Sequence, residues 1–147
     1  MTTKGTEVFL QLTTEIHADG DEAQHIEFAT SGQYYLKEET HYYIYSESEL
    51  SGMAGGKTTL KIKDGMVTMH RYGVNVVELV FIPGEIRESI YETPYGVFDV
   101  EMKTLTLETA IDERGAGHIE ISYDIEVKGL SKTRNWLRII VKANRRA

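Results

Sequence analysis

The sequence predicts an all-β protein, an antiparallel up-and-down barrel of eight to ten strands. Three observations lead there. Apolar and polar residues alternate with a period of two through nearly the whole chain. Turn-forming residues fall between the alternating runs at hairpin spacing. No window sustains a 3.6-residue period long enough for a helix, and the best stretch, "SESELSGM", ends in its own glycines. About ten antiparallel strands in 147 residues must manage their edges. A closed meander removes edges, whereas a two-sheet sandwich leaves some open. Short connections favour the up-and-down order. The length fits one domain over residues 1–147.

The elements follow in order. "TEVFLQLTTEIHA" sets Val8, Leu10, Leu12 and Ile16 on one face, and Asp19-Gly20-Asp21 turns the chain. "QYYLKEETHYYIYSE" then holds Tyr34, Tyr35, Tyr42, Tyr43 and Tyr45, five of the nine tyrosines. Neighbours in a strand point to opposite faces, so the five cannot form one stacking platform. They divide into two sets: Tyr43 and Tyr45 with Glu47, and Tyr42 with Ile44. The first set is expected to point inward. "TTLKIK" runs into Asp64-Gly65, the residues of a type I′ hairpin turn. "MVTMHRYG" and "VVELVFI" continue the alternation, with turns at Pro83-Gly84 and Pro94-Tyr95-Gly96. In "VFDVEMKTLTLETA", Phe98, Val100 and Met102 share one face, while Leu105 and Leu107 share the other. A bulge near Lys103-Thr104 would restore the register. A loop at Arg114–Gly117 precedes "HIEISYDIEV", whose Ile119, Ile121, Tyr123, Ile125 and Val127 line one face. A loop at Lys128–Thr133 precedes "NWLRIIV".

Composition narrows the functional classes. The formal charge of −7 disfavours a nucleic-acid partner, since phosphates are met by clustered Lys and Arg. The one basic cluster, "KANRRA", reads as a solvated tail. There is no cysteine, which excludes disulfides, thiolate metal sites and a thiol nucleophile. No run reaches membrane-span length, and "MTTKGTEVFLQL" lacks a leader pattern, so the expected compartment is the cytoplasm. "SGMAGGKTT" approaches a phosphate-binding loop, but Ser51 stands where the first glycine belongs and the following residues alternate as a strand. It reads instead as a glycine-rich loop at a barrel mouth. The five histidines lack metal-ligand spacing; His17 and His25 flank the first turn and read as solvated hairpin ends. No nucleophile elbow occurs. The sequence therefore predicts a binding protein rather than an enzyme, with no metal and no cofactor, and carries no signature of an oligomeric state.

Arg71 is the informative residue. It shares parity with Val67 and Met69, so if these face the core, so does a guanidinium. A buried cation needs anionic or carbonyl partners. Glu47 could supply one within the protein, and an acidic ligand could supply another. Tyr43, Tyr45, Tyr91 and Tyr123 lie on faces that could set hydroxyls beside it. These six residues form the expected ligand site. The alternative is a filled barrel that acts on another protein through its outer surface.

Several spaced pieces are similar to one family: Glu27-Phe28, Gly32, Tyr34-Tyr35, Tyr45 with Glu47, Lys61, Met69 with Arg71 and Gly73, Phe81 with Gly84, Tyr91 with Thr93 and Gly96, and Gly117 to Tyr123. Over roughly Val8 to Val141 the chain resembles the YwiB-like family of small bacterial proteins. The resemblance implies a calycin-like, lipocalin-like barrel and implies no activity.

Overall fold

The computed structural model describes residues 5–46 and 56–143. Glu47, most of the glycine-rich run and the end of the basic tail lie outside the described residues. Ten strands follow one another: β1 (Thr6–Ala18), β2 (Gln24–Lys37), β3 (Thr40–Ser46), β4 (Lys57–Lys63), β5 (Met66–Tyr72), β6 (Val77–Phe81), β7 (Ile86–Thr93), β8 (Gly96–Ile111), β9 (Gly117–Val127) and β10 (Ser131–Ala143). All pairings are antiparallel, in one sheet ordered β6-β5-β4-β3-β2-β1-β10-β9-β8-β7. Among the described residues no helix is long and apolar enough to cross a membrane.

The chain is a meander nearly closed into a barrel. β1 pairs with β2 on one side and with β10 on the other, from Val8 opposite Ala143 to Ala18 opposite Thr133. The sheet's free edges therefore fall on β6 and β7, consecutive strands in the middle of the chain. These two face each other across a seam. A Val76–Glu92 bridge holds one end, with reciprocal N–H···O distances of 2.9 and 2.8 Å. Midway, the Ser89 hydroxyl donates to the Glu78 carbonyl at 2.6 Å, a side chain standing in for a ladder bond.

Register fixes which residues face inward, because directly opposed residues share a face. The inner face carries Val8, Leu10 and Leu12 of β1, Tyr43 and Tyr45 of β3, Leu60 and Ile62 of β4, and Val67 and Met69 of β5. It also carries Phe81 of β6, Val100 and Met102 of β8, Ile119 and Ile121 of β9, and Leu137, Ile139 and Val141 of β10, all buried. Each large aliphatic or aromatic side chain removed from water contributes about 1.5–3 kcal/mol. Tyr43 and Tyr45 therefore belong to the core, while Tyr42 and Ile44 on the other face are only half-buried.

The Asp64-Gly65 turn has both residues at positive φ, 49° and 74°, as a type I′ hairpin demands. The β2–β3 turn has the same character without its usual residues: Glu38 and Glu39 sit at φ 51° and 63°. The register shift in β8 lies between Thr104 and Thr106, one residue beyond the expected position. It keeps Thr104 inward beside Val100 and Met102, then returns Leu107 to the same face opposite Ile121.

Candidate functional site at one end of the barrel

The two ends of the barrel differ. One end gathers the β2–β3, β4–β5, β6–β7 and β8–β9 turns, and it is closed by the last of these. Asp112 shapes that turn by accepting from the N–H groups of Arg114 and Ala116 at 2.8 and 3.0 Å. Gly115 at its tip is buried against the face of Tyr34. The Tyr43 hydroxyl donates to the Gly115 carbonyl at 2.6 Å. The Tyr34 hydroxyl meets His41 Nδ1, also at 2.6 Å. Burial raises the pKa of the Tyr34 hydroxyl, and the nearby Asp112 charge adds to the shift. Burial likewise holds Tyr43 protonated far above the ordinary phenol range. Burial lowers His41, with Asp112 opposing. Where Tyr34 donates, a neutral His41 accepts at Nδ1 and carries its proton on Nε2.

Among the described residues the other end is less buried on several strands. On β1, Val8, Leu10 and Leu12 are buried, whereas Thr14 and Ile16 are half-buried. On β5, Val67 and Met69 are buried and Arg71 is half-buried. On β9, exposure climbs from 0% at Ile119 and Ile121 to 8% at Tyr123, and Ile125 and Val127 are half-buried. On β10 it climbs from 0% at Ile139 to 9% at Asn135, and Thr133 is half-buried. On β6, Phe81 is fully buried, while Leu79 and Val77 retain some exposure. Tyr45, Thr58, Val100 and Met102 stay buried towards that end, so the described interior is packed at one end and only partly loosened at the other.

The expected site residues divide across this geometry. Tyr45 opposes Thr58, and Thr58 opposes Arg71, so the three make a continuous row on the inner wall. Val77 opposes Arg71 from β6. The Val76–Glu92 bridge brings the chain neighbours Val77 and Tyr91 to the two sides of the seam at one height. Tyr91 itself is half-buried and packs on the core. Tyr123 lies on β9, its ring edge-on to Phe81 with centroids 5.0 Å apart. Tyr43 is one row nearer the closed end than Tyr45, and its hydroxyl donates to the Gly115 carbonyl there. Glu47 lies outside the described residues. His17 and His25 are exposed on either side of Glu15, at 3.8 and 3.7 Å from its carboxylate.

Three inward polar residues escaped the sequence reading: Thr58, Thr104 and Asn135, at 0%, 1% and 9% exposure. Their signal was present as parity. Asn135 shares its face with Leu137, Ile139 and Val141, and Thr104 shares its face with Val100 and Met102. A small polar residue on an apolar face draws less notice than an arginine. Thr104, Tyr123 and Asn135 are direct cross-strand neighbours on β8, β9 and β10.

Comparison with known proteins agrees with this architecture. The chain is 30% identical over 122 residues to the "Uncharacterized beta-barrel protein YwiB" of Bacillus subtilis (strain 168), covering 83% of each chain. It superposes on the crystal structure of the ywiB protein from Bacillus subtilis with a TM-score of 0.83. That match has 26% identity and covers 97% of this chain and 95% of the other. A family model described as "Domain of unknown function (DUF1934)" matches residues 10–139. The ten-stranded meander, its register and these matches together make the chain a member of the DUF1934 family of β-barrel proteins.

Proposed function

We propose that the barrel binds a small acidic or amphipathic molecule at this less buried end, with Arg71 meeting its anionic group. The observation that carries this reading is the position of Arg71, a half-buried arginine on the inner wall beyond the buried Val67 and Met69. Ligand sites are concave and mostly apolar, with a few polar groups that orient the ligand. The polar groups around Arg71 are Tyr45 and Thr58 in its row and Tyr91 across the seam. A guanidinium recognises carboxylate or phosphate by paired, charge-assisted hydrogen bonds. Native mass spectrometry of protein purified gently tests the reading. The wild type should carry a small molecule that Arg71→Met, which keeps the apolar stem, loses. Equal retention by the variant would sink it.

A second reading has its own observation. On the outer wall, Phe9 is 48% exposed beside a depression lined by Ala29, Ser31 and Ile140. Such a patch suits contact with another protein. Phe9→Ser should then abolish a partner's co-purification and leave ligand retention unchanged.

A further inference from the structure

Phe9 lies between Val8 and Leu10, both buried in the core, so alternation turns its ring outward. Beside it the outer wall has a depression of about 400 Å³, lined by Ala29 and Ser31 of β2 and by Ile140 and Lys142 of β10. Register orders the two flanks of β1. Phe9 opposes Ser31 on β2 and Lys142 on β10, Gln11 opposes Ala29 and Ile140, and Thr13 opposes Glu27 and Arg138. The β2 flank is therefore small or acidic at the heights where the β10 flank is large or basic. Glu27, Arg138 and Lys142 are all exposed. Farther along β10, Arg134 is taken up by Asp124 at 2.7 Å, whereas Arg138 and Lys142 make no ion pair among the described residues. The wall thus carries, on one surface, a protruding ring, a space beside it and two flanks of opposite character.

We infer that this wall is the contact surface of a homodimer, its occupant a second copy of this chain. The inference rests on the reading of the Phe9 patch as a protein contact, and it names the partner. A two-fold axis along β1 carries each β1 over the other and lays β10 of one copy on β2 of the other, at equal heights. Ile140 then meets Ala29, Arg138 meets Glu27 and Lys142 meets Ser31, each pair formed twice, while the two Phe9 rings cover each other near the axis. Large side chains face small ones, and the exposed guanidinium faces a carboxylate. A two-fold contact is closed, so assembly stops at two copies. Three strands of a convex wall make a small interface, so the Kd should be about micromolar.

Sedimentation equilibrium of the full chain tests this. The wild type should reach twice its chain mass at high protein concentration and fall towards one chain mass on dilution. Phe9→Glu should be monomeric throughout. Arg138→Glu and Glu27→Arg should each weaken the dimer about tenfold, because either change sets two like-charged pairs in the interface. Mixing these two variants should restore the wild-type affinity, since every facing pair is again of opposite sign. Thermal unfolding establishes that each variant folds. A wild type that stays monomeric up to millimolar concentration overturns the homodimer. The outer-wall reading falls separately, if Phe9→Ser leaves the co-purification of a different protein unchanged. A dimer indifferent to Phe9→Glu overturns the surface, and a mixture that fails to regain affinity overturns the two-fold arrangement.

Discussion

Gly115→Ala should destabilise the barrel far more than Gly129→Ala, although both glycines have φ of +86°. Any L-residue pays for that backbone conformation, by about 1–2 kcal/mol. The surroundings separate the two sites. A Cβ at Gly129 meets nothing within 4 Å, whereas one at Gly115 falls 2.5 Å from Tyr34 Cγ and 2.7 Å from both Cδ atoms. The Tyr34 ring cannot swing aside, because its hydroxyl is held by His41 and its face lies 5.1 Å from Tyr43, centroid to centroid. Forcing a methyl into packed surroundings costs about 1–3 kcal/mol. That amount is the expected excess of Gly115→Ala over Gly129→Ala. It corresponds to about 2–12 °C in Tm for a chain of this length. Urea denaturation of the two variants, fitted with a common m-value, measures the excess directly. Equal losses would refute the account of the closed end, because they would mean that the β8–β9 turn does not seat on Tyr34.

Other expectations concern the same framework. Tyr43→Phe deprives the buried Gly115 carbonyl of its donor and should cost about 1–3 kcal/mol in urea denaturation. Glu38→Asn with Glu39→Gly relieves two positive-φ positions and should raise stability by about 1 kcal/mol, read as a higher urea midpoint. His41 has a folded pKa below its ordinary 6.5, so the unfolded chain binds the proton more readily. Its contribution is complete above 6.5 and declines as pH falls from there towards the folded value. Tm measured across that window should fall less steeply in His41→Gln than in the wild type. Asp124 is held low chiefly by its hydrogen bonds from Arg134, at 2.7 and 3.0 Å, so its contribution is present above pH 3.8 and is lost as pH falls through the lower folded value. Asp124→Asn should flatten that acid limb, and added salt should shrink the difference, since the arginine is exposed.

Much of the fold was legible because alternation is a local signal. Strand existence, the inward parity of Tyr43 and Tyr45, the Asp64-Gly65 turn and the slip in β8 all follow from neighbours a few residues apart. The β2–β3 turn was not legible, because Glu38 and Glu39 are poor candidates for positive φ and the surrounding tyrosines read as continuous strand. The β1–β10 pairing joins residues at opposite ends of the chain, and no local pattern encodes it. The closed end was hidden for the same reason: Tyr34 and Tyr43 meet Gly115 only once β8 and β9 fold over them, and His41 joins the group through Tyr34. Among the six expected site residues, parity grouped Tyr45 with Tyr43 correctly as inward. It could not show that one lies near the mouth and the other at the stopper, since depth along a barrel depends on stagger between strands.

The β1–β10 pairing also bears on how the molecule is made. Every other ladder joins strands adjacent in the chain, so each can form as soon as its second strand has been synthesised. The pairing that draws the two halves of the meander together needs Ser131–Ala143, so it must wait until that last strand has left the ribosome. Until then β1 waits with one unmatched side, a row of N–H and C=O groups open to any passing strand. The nascent chain is therefore most vulnerable at its oldest strand, and a stall or truncation before residue 131 leaves that strand permanently unguarded.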